Sequence, residues 1–202
     1  MKISAIKQQV KNPERVSIFV DGKYAFSLSL DELVAEKVKN GQELDQAELR
    51  RLKKLSDDGK LRTRALAWLL NRPHSERELR DYLRRKKAEE ELTERLVGDL
   101  TKKGYVDDQK YARWLVELRS RAGKSNRAIR SELFSKGVSR EVIDEVLEAS
   151  NNEEQRLKKL VAKKRQSLRY KNDDLKLAKY LTSQGFSYGL VREVLKVEGS
   201  DN

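Results

Sequence analysis

The sequence predicts a mainly α-helical protein: three tandem three-helix repeats, helix-turn-helix-like, in an elongated curved array, preceded by a small N-terminal β-hairpin region. Three observations carry this prediction. The chain repeats itself in Leu79-Arg80-Asp81-Tyr82-Leu83, Ile129-Arg130-Ser131-Glu132-Leu133 and Leu177-Ala178-Lys179-Tyr180-Leu181, at offsets of 50 and 48 residues. Its first thirty residues alternate in polarity as strands do. Finally, 37% hydrophobic against 39% charged residues over a length of 202 suits thin cores between helices better than one thick core.

In chain order, Arg15–Val20 and Lys23–Leu28 alternate around Asp21-Gly22, a two-residue turn in which glycine accepts the positive φ at little steric cost. Met1–Val10 supplies a third strand, and Asn12-Pro13 marks the turn between. A short helix is expected over Asp31–Val38, stopped by Asn40-Gly41. Asp45-x-x-Glu48 is a capping box for a helix through Leu49, Leu52 and Leu55, with Asp57-Asp58-Gly59 expected to interrupt it before Leu61–Leu70. Ser75-x-x-Glu78 opens the next helix with the same box.

Within each repeat the fourth residue after the last Leu is Lys87, Gly137 or Gly185, followed by apolar Ala88, Val138 or Phe186. Glycine there fits a left-handed helix C-terminus, so Lys87 predicts a different turn in the first copy. Further amphipathic helices follow, with Leu92/Leu96/Val97, Val142/Val146/Leu147 and Leu190/Val194/Leu195 in register. Leading helices are expected over Leu61–Leu70, Asp107–Ser120 and Glu153–Tyr170, the last longer, ending in a basic run and read as a spacer as well as a repeat element. The resulting division is 1–44 for the hairpin extension, then repeats at 45–104, 105–152 and 153–202.

Net charge is +12, rising from +2 over residues 1–60 to +4 over 61–120 and +6 over 121–202. Such an excess attracts polyanions or acidic protein surfaces in a salt-dependent way. Cysteine is absent, which excludes disulfides and thiolate metal ligands. No apolar run approaches the ~20 residues that span a bilayer, and Met1-Lys2-Ile3-Ser4 does not open a signal peptide, so no membrane role and a cytoplasmic location are expected.

Several runs resemble the RecX family, regulators of the bacterial recombinase RecA. They are Leu69-Leu70-Asn71-Arg72-Pro73-His74-Ser75-Glu76-Arg77-Glu78-Leu79, Gly104-Tyr105-Val106-Asp107-Asp108-Gln109-Lys110-Tyr111-Ala112, Arg127 to Val138, and Leu181-Thr182-Ser183-Gln184-Gly185-Phe186-Ser187. Together they cover roughly residues 61 to 197 in order, and the segment Val16–Gly22 is similar to the family's N-terminal extension. The resemblance implies a monomer, without cofactor or catalytic residues, that binds the RecA nucleoprotein filament. It implies restraint of filament extension, ATP hydrolysis and strand exchange in recombination and DNA repair, with weak electrostatic binding to single- or double-stranded DNA.

The strongest candidate partner- or DNA-binding residues are the basic ones of the first two repeats: Arg72, Arg77, Arg80, Arg84, Arg85 and Lys86, then Arg119, Arg121, Lys124, Arg127 and Arg130. Arg77, Arg80 and Arg84 share a helical face, and Arg127 and Arg130 repeat the first spacing, which predicts a positive stripe across the units. The bland alternative is a solvated face partly neutralised by Glu76, Glu78 and Asp81.

Asp107-Asp108 and Asp173-Asp174 read as helix caps rather than metal ligands, and His74 as a turn residue. Trp68, Trp114, Tyr111 and Phe186 read as core, with Tyr24 and Tyr105 the surface aromatics. Gly123-Lys124-Ser125 is only the tail of a phosphate-binding loop, so ATP binding is not expected. A rival class is a sequence-independent DNA-binding protein whose third helices read a groove. The acidity of those helices, near Glu89–Glu94 and Glu141–Glu148, opposes it.

Overall fold

A computed structural model describes residues 1–150 and 152–195. They divide into two compact units, Met1–Leu70 with Leu83–Leu96, and Asn71–Tyr82 with Val97 onward.

In the first unit, β1 (Ile3–Gln8), β2 (Arg15–Val20) and β3 (Lys23–Ser29) form an antiparallel sheet in the order β1-β2-β3. Ile18 at its centre stands opposite Ile6 on one side and Phe26 on the other. The β2–β3 turn has positive φ at both Asp21 (47°) and Gly22 (81°), as a tight hairpin requires. Ile3, Val16, Ile18, Phe26 and Leu28 bury one face of the sheet.

Ser29 and Glu32 form a reciprocal capping box that starts α1 (Leu30–Ala35). Asp45 and Glu48 do the same for α2 (Gln46–Leu69), whose Leu52 completes the sheet's core with help from Leu49 and Leu55.

The expected break at Asp57-Asp58-Gly59 does not occur: α2 runs unbroken for 24 residues. Asp57 pairs with Lys60 and Asp58 with Arg95, so both acids are used on the helix surface. Gly59 serves proximity rather than termination, because a Cβ there would run into the Glu32 carboxylate. Glycine in a helix interior costs about 1 kcal/mol, which the continuing helix absorbs.

The remaining helices are α3 (Glu76–Arg85), α4 (Glu90–Lys102), α5 (Asp108–Arg121), α6 (Asn126–Ser135), α7 (Arg140–Ala149), α8 (Glu153–Arg165), α9 (Asp174–Ser183) and α10 (Tyr188–Leu195). Three-helix grouping follows from the buried residues. Tyr111, Leu115, Ile129, Leu133, Ile143 and Val146 make one core from α5, α6 and α7. Leu157, Val161, Leu177, Leu181, Val191 and Leu195 make another from α8, α9 and α10. In α3 and α4 the corresponding positions Leu79, Leu83, Leu92, Leu96 and Leu100 are likewise buried.

The repeat turns obey one rule, and here Lys87 corrects the sequence reading. Its φ of 59° is left-handed, like the 81° of Gly137 and 98° of Gly185. The N–H three residues past each helix donates to the same relative carbonyl: Ala88 to Leu83 at 3.1 Å, Val138 to Leu133 at 3.2 Å, Phe186 to Leu181 at 3.3 Å. Lys87 is exposed, so nothing but its own backbone strain opposes that conformation.

A second correction concerns α8, expected to reach Tyr170. It stops at Arg165, and residues 166–172 are turns. Arg165 pairs with Asp174 at 2.8 Å, while Tyr170 folds back into the third core, 5.5 Å from the ring of Tyr180.

Candidate functional site

The basic residues singled out in the sequence divide into those bound into the structure and those presented at its surface. Arg72 belongs to the first group. Its guanidinium donates to both carboxylate oxygens of Glu78, at 2.9 and 3.3 Å, and lies 4.9 Å from the ring centre of Trp114. Glu78 also receives Lys136 at 3.2 Å and faces the buried His74 at 3.1 Å. Burial pushes the Glu78 carboxyl up, but the hydrogen bonds and charge of Arg72, with Lys136 and His74, outweigh it and hold the group below its ordinary value. His74, in the turn between α2 and α3 as its sequence context predicts, is also a member of a buried polar network.

Arg119 grips Glu132 with two parallel hydrogen bonds of 2.7 and 2.6 Å, and the contact raises its pKa further. Arg80 donates to Glu76 at 2.8 Å, Arg121 pairs with Glu117, and Arg130 with Asp144. Arg77 and Arg127 are exposed at equivalent places near the starts of α3 and α6. Arg84, Arg85 and Lys86 are exposed at the end of α3, and Lys124 is half-buried in the turn before α6.

The aspartate pairs act at helix starts, though not as one would read from sequence alone. Asp107 accepts from the N–H groups of Gln109 and Lys110, capping its own helix α5. Asp108 instead accepts from the Glu76 N–H at 2.9 Å, capping α3, and burial raises its pKa. Asp173 caps α9 through Lys176, while Asp174 holds Arg165. Gly123-Lys124-Ser125 is a helix-to-helix turn: Gly123 has φ of 78° and Ser125 caps α6 through the Ala128 N–H.

Among the aromatics, Tyr111 and Phe186 are buried, and burial pushes the Tyr111 phenol up to about 12. Tyr24 and Tyr105 are exposed. The basic run of α8 lines a groove against α5, α7 and α9. The signal was present in the spacing of Arg156, Lys159, Lys163 and Lys164, which returns to one helical face.

Among the described residues no helix is long and apolar enough to cross a membrane. The fold and these faces define a basic helical-repeat protein with a small N-terminal sheet. Comparison with known proteins makes the class specific. The regulatory protein RecX N-terminal domain matches residues 1–45, the first three-helix domain of RecX residues 62–100, and the second residues 107–147. Regulatory protein RecX of Clostridium botulinum (strain Alaska E43 / Type E3) is 32% identical over 202 residues, covering 96% of this chain and 95% of that one. Its counterpart in Listeria welshimeri is 30% identical, covering 96% and 71%. A crystal structure of regulatory protein RecX superposes with a TM-score of 0.73 at 27% identity, covering 97% of this chain and 99% of that one. The RecX of Lactobacillus salivarius shares the fold, with a TM-score of 0.58 at 22% identity over 69% of this chain and 95% of its own. The chain belongs to the RecX family of regulatory proteins.

Proposed function

We propose that this chain is a non-catalytic, cytoplasmic regulator that binds the RecA nucleoprotein filament as a monomer. In this reading it inhibits filament extension, ATP hydrolysis and strand exchange, and so moderates recombination and DNA repair. Family membership supports the partner. The observation that carries the mechanism is the recurrence of exposed Arg77 and Arg127 at equivalent places in successive repeats. Repeats at 45–104, 105–152 and 153–202 would each offer weak basic contacts, and contacts on one chain add through high effective concentration. DNA is a weaker, electrostatic partner of the same faces.

The test is RecA ATP hydrolysis on single-stranded DNA, titrated with the parent protein and with Arg85→Gln combined with Arg127→Glu. Both positions are exposed, so helicity and melting should change little. Inhibition should persist in excess DNA and weaken in the variant. Inhibition that disappears once free DNA is abundant would favour sequence-independent DNA binding instead.

A further inference from the structure

In the second unit, α5, α7, α8 and α9 border a groove of about 790 Å³. Its floor is aliphatic: Val116 from α5, Val146 and Ala149 from α7, and Leu160 from α8. Leu160 lies against the α5–α6 turn so closely that a Cβ on Gly123 would meet its Cδ2 at 3.0 Å. Above that floor Arg156, Lys159, Lys163 and Lys164 stand at i, i+3, i+7 and i+8 along α8, with Leu160 at i+4 on the same stripe.

Charge around the groove is unbalanced. Of its two acids, Glu117 pairs with Arg121 one turn further along α5, and Glu145 of α7 reaches Arg113 of α5 at 3.9 Å. None of the four α8 cations forms an ion pair among the described residues, although the Glu153 carboxylate favours the charged form of Arg156 from a distance. Arg156 is nonetheless fixed in place, donating to the Ser120 hydroxyl and the Asn126 side-chain oxygen, with its Nε–H buried and without an acceptor. A held cation without a direct ion pair, beside an aliphatic floor, suits a ligand carrying both carboxylates and an apolar group.

A nucleic-acid strand fits this place less well. Its phosphates would satisfy the rim, but its bases need an open aromatic face. Tyr180, the aromatic of the groove, already has Lys164 4.5 Å from its ring centre and Tyr170 at 5.5 Å.

We propose that this groove seats an acidic, amphipathic peptide segment of a partner protein, one apolar side chain entering between Val146, Ala149 and Leu160 while flanking carboxylates meet the cations of α8. The chemistry of the groove carries this whichever protein supplies the segment, so it stands apart from the RecA reading.

Fluorescence anisotropy with the full chain tests it, using a labelled peptide in which leucines are set among glutamates. The parent should bind this peptide at low salt and bind an all-glutamate peptide at least tenfold more weakly. Lys159→Glu with Lys163→Glu should weaken binding tenfold or more, and the neutral Gln pair by an intermediate factor. Ala149→Trp, at an exposed position of α7, should fill the floor and weaken binding comparably without altering charge. Unfolding of the charge-reversed variant would leave the Gln pair and Ala149→Trp to decide. Failure of the parent to bind, equal affinity for the two peptides, or parent-like binding by Ala149→Trp would each overturn the proposal. Displacement of the peptide by a single-stranded oligonucleotide at similar concentration would overturn it too, marking the groove as a phosphate site.

Discussion

The Ser75 hydroxyl donates to the carbonyl of Lys136 at 2.8 Å, and fifty residues on, the Ser125 N–H donates to the carbonyl of Gln184 at 3.1 Å. Each bond joins the N-cap of a middle helix to the residue before the left-handed glycine of the following repeat. Two further contacts recur beside it. Each glycine is crowded by a middle helix, though at non-equivalent residues: a Cβ on Gly137 would meet Arg77 Cβ at 2.9 Å, and one on Gly185 would meet the Ser125 hydroxyl and, at 2.9 Å, Ala128 Cβ. A carboxylate that begins the next leading helix caps the same middle helix: Asp108 accepts from the Glu76 N–H, Glu153 from the Asn126 N–H. Two closely related joints are therefore used, Ser75 bonding through its hydroxyl and Ser125 through its backbone N–H.

The joint makes Gly137 a point of double constraint. Alanine there meets both a φ of 81° and the Arg77 stem. Gly137→Ala should lower stability by about 1–3 kcal/mol, read as a shifted urea midpoint with unchanged slope. A neutral substitution would show that the joint gives way without cost.

Lys87 carries the same backbone strain without that crowding. Lys87→Gly should stabilise the protein by roughly 0.5–1 kcal/mol, the left-handed penalty relieved less the added chain entropy. Thermal melting at constant pH and salt checks the sign. A loss of stability would mean that the Lys87 side chain contributes more than its exposure indicates.

These two positions show where sequence reading succeeds and where it ends. The repeat was legible because Leu79, Ile129 and Leu177 recur with their apolar neighbours, and a core imposes that register on any sequence that fills it. Lys87 was misread because the turn's conformation is set by the carbonyl at Leu83, not by the residue that occupies it. Gly59 was misread because its reason, the Glu32 carboxylate, lies far away in the chain. The basic faces were only partly legible: Arg119 and Arg130 find Glu132 and Asp144 more than ten residues on, and such pairing is invisible to a local count of charges. The α8 stripe was readable in its spacing, but its groove exists only once α5 and α7 are in place.

Asp108 offers a direct test of the joint, because it caps a helix other than its own. Asp108→Ala should cost about 0.5–2 kcal/mol, the usual worth of a lost N-cap acceptor. Hydrogen exchange should quicken at the Glu76 amide at the start of α3, while the Gln109 and Lys110 amides, held by Asp107, stay protected. Loss of protection at the start of α5 alone would assign Asp108 to its own helix after all.

Glu78 makes the stability of this joint pH-dependent. Its folded pKa is lowered from 4.5, so its contribution is fully present above that value and is lost as pH falls through the depressed one. Glu78→Gln leaves the half-buried Arg72, the buried His74 and the cationic Lys136 without their shared carboxylate, and should cost about 1–3 kcal/mol at neutral pH. The two proteins should converge as pH drops below 4.5, since protonation then removes the same charge from the parent. Asp108 shifts in the opposite sense, its raised pKa favouring the folded state at lower pH, but it is common to both proteins and cancels in their difference. Urea midpoints measured from neutral to acid pH give that difference directly. A gap that stays constant across the range would mean that Glu78 acts through its shape and not its charge.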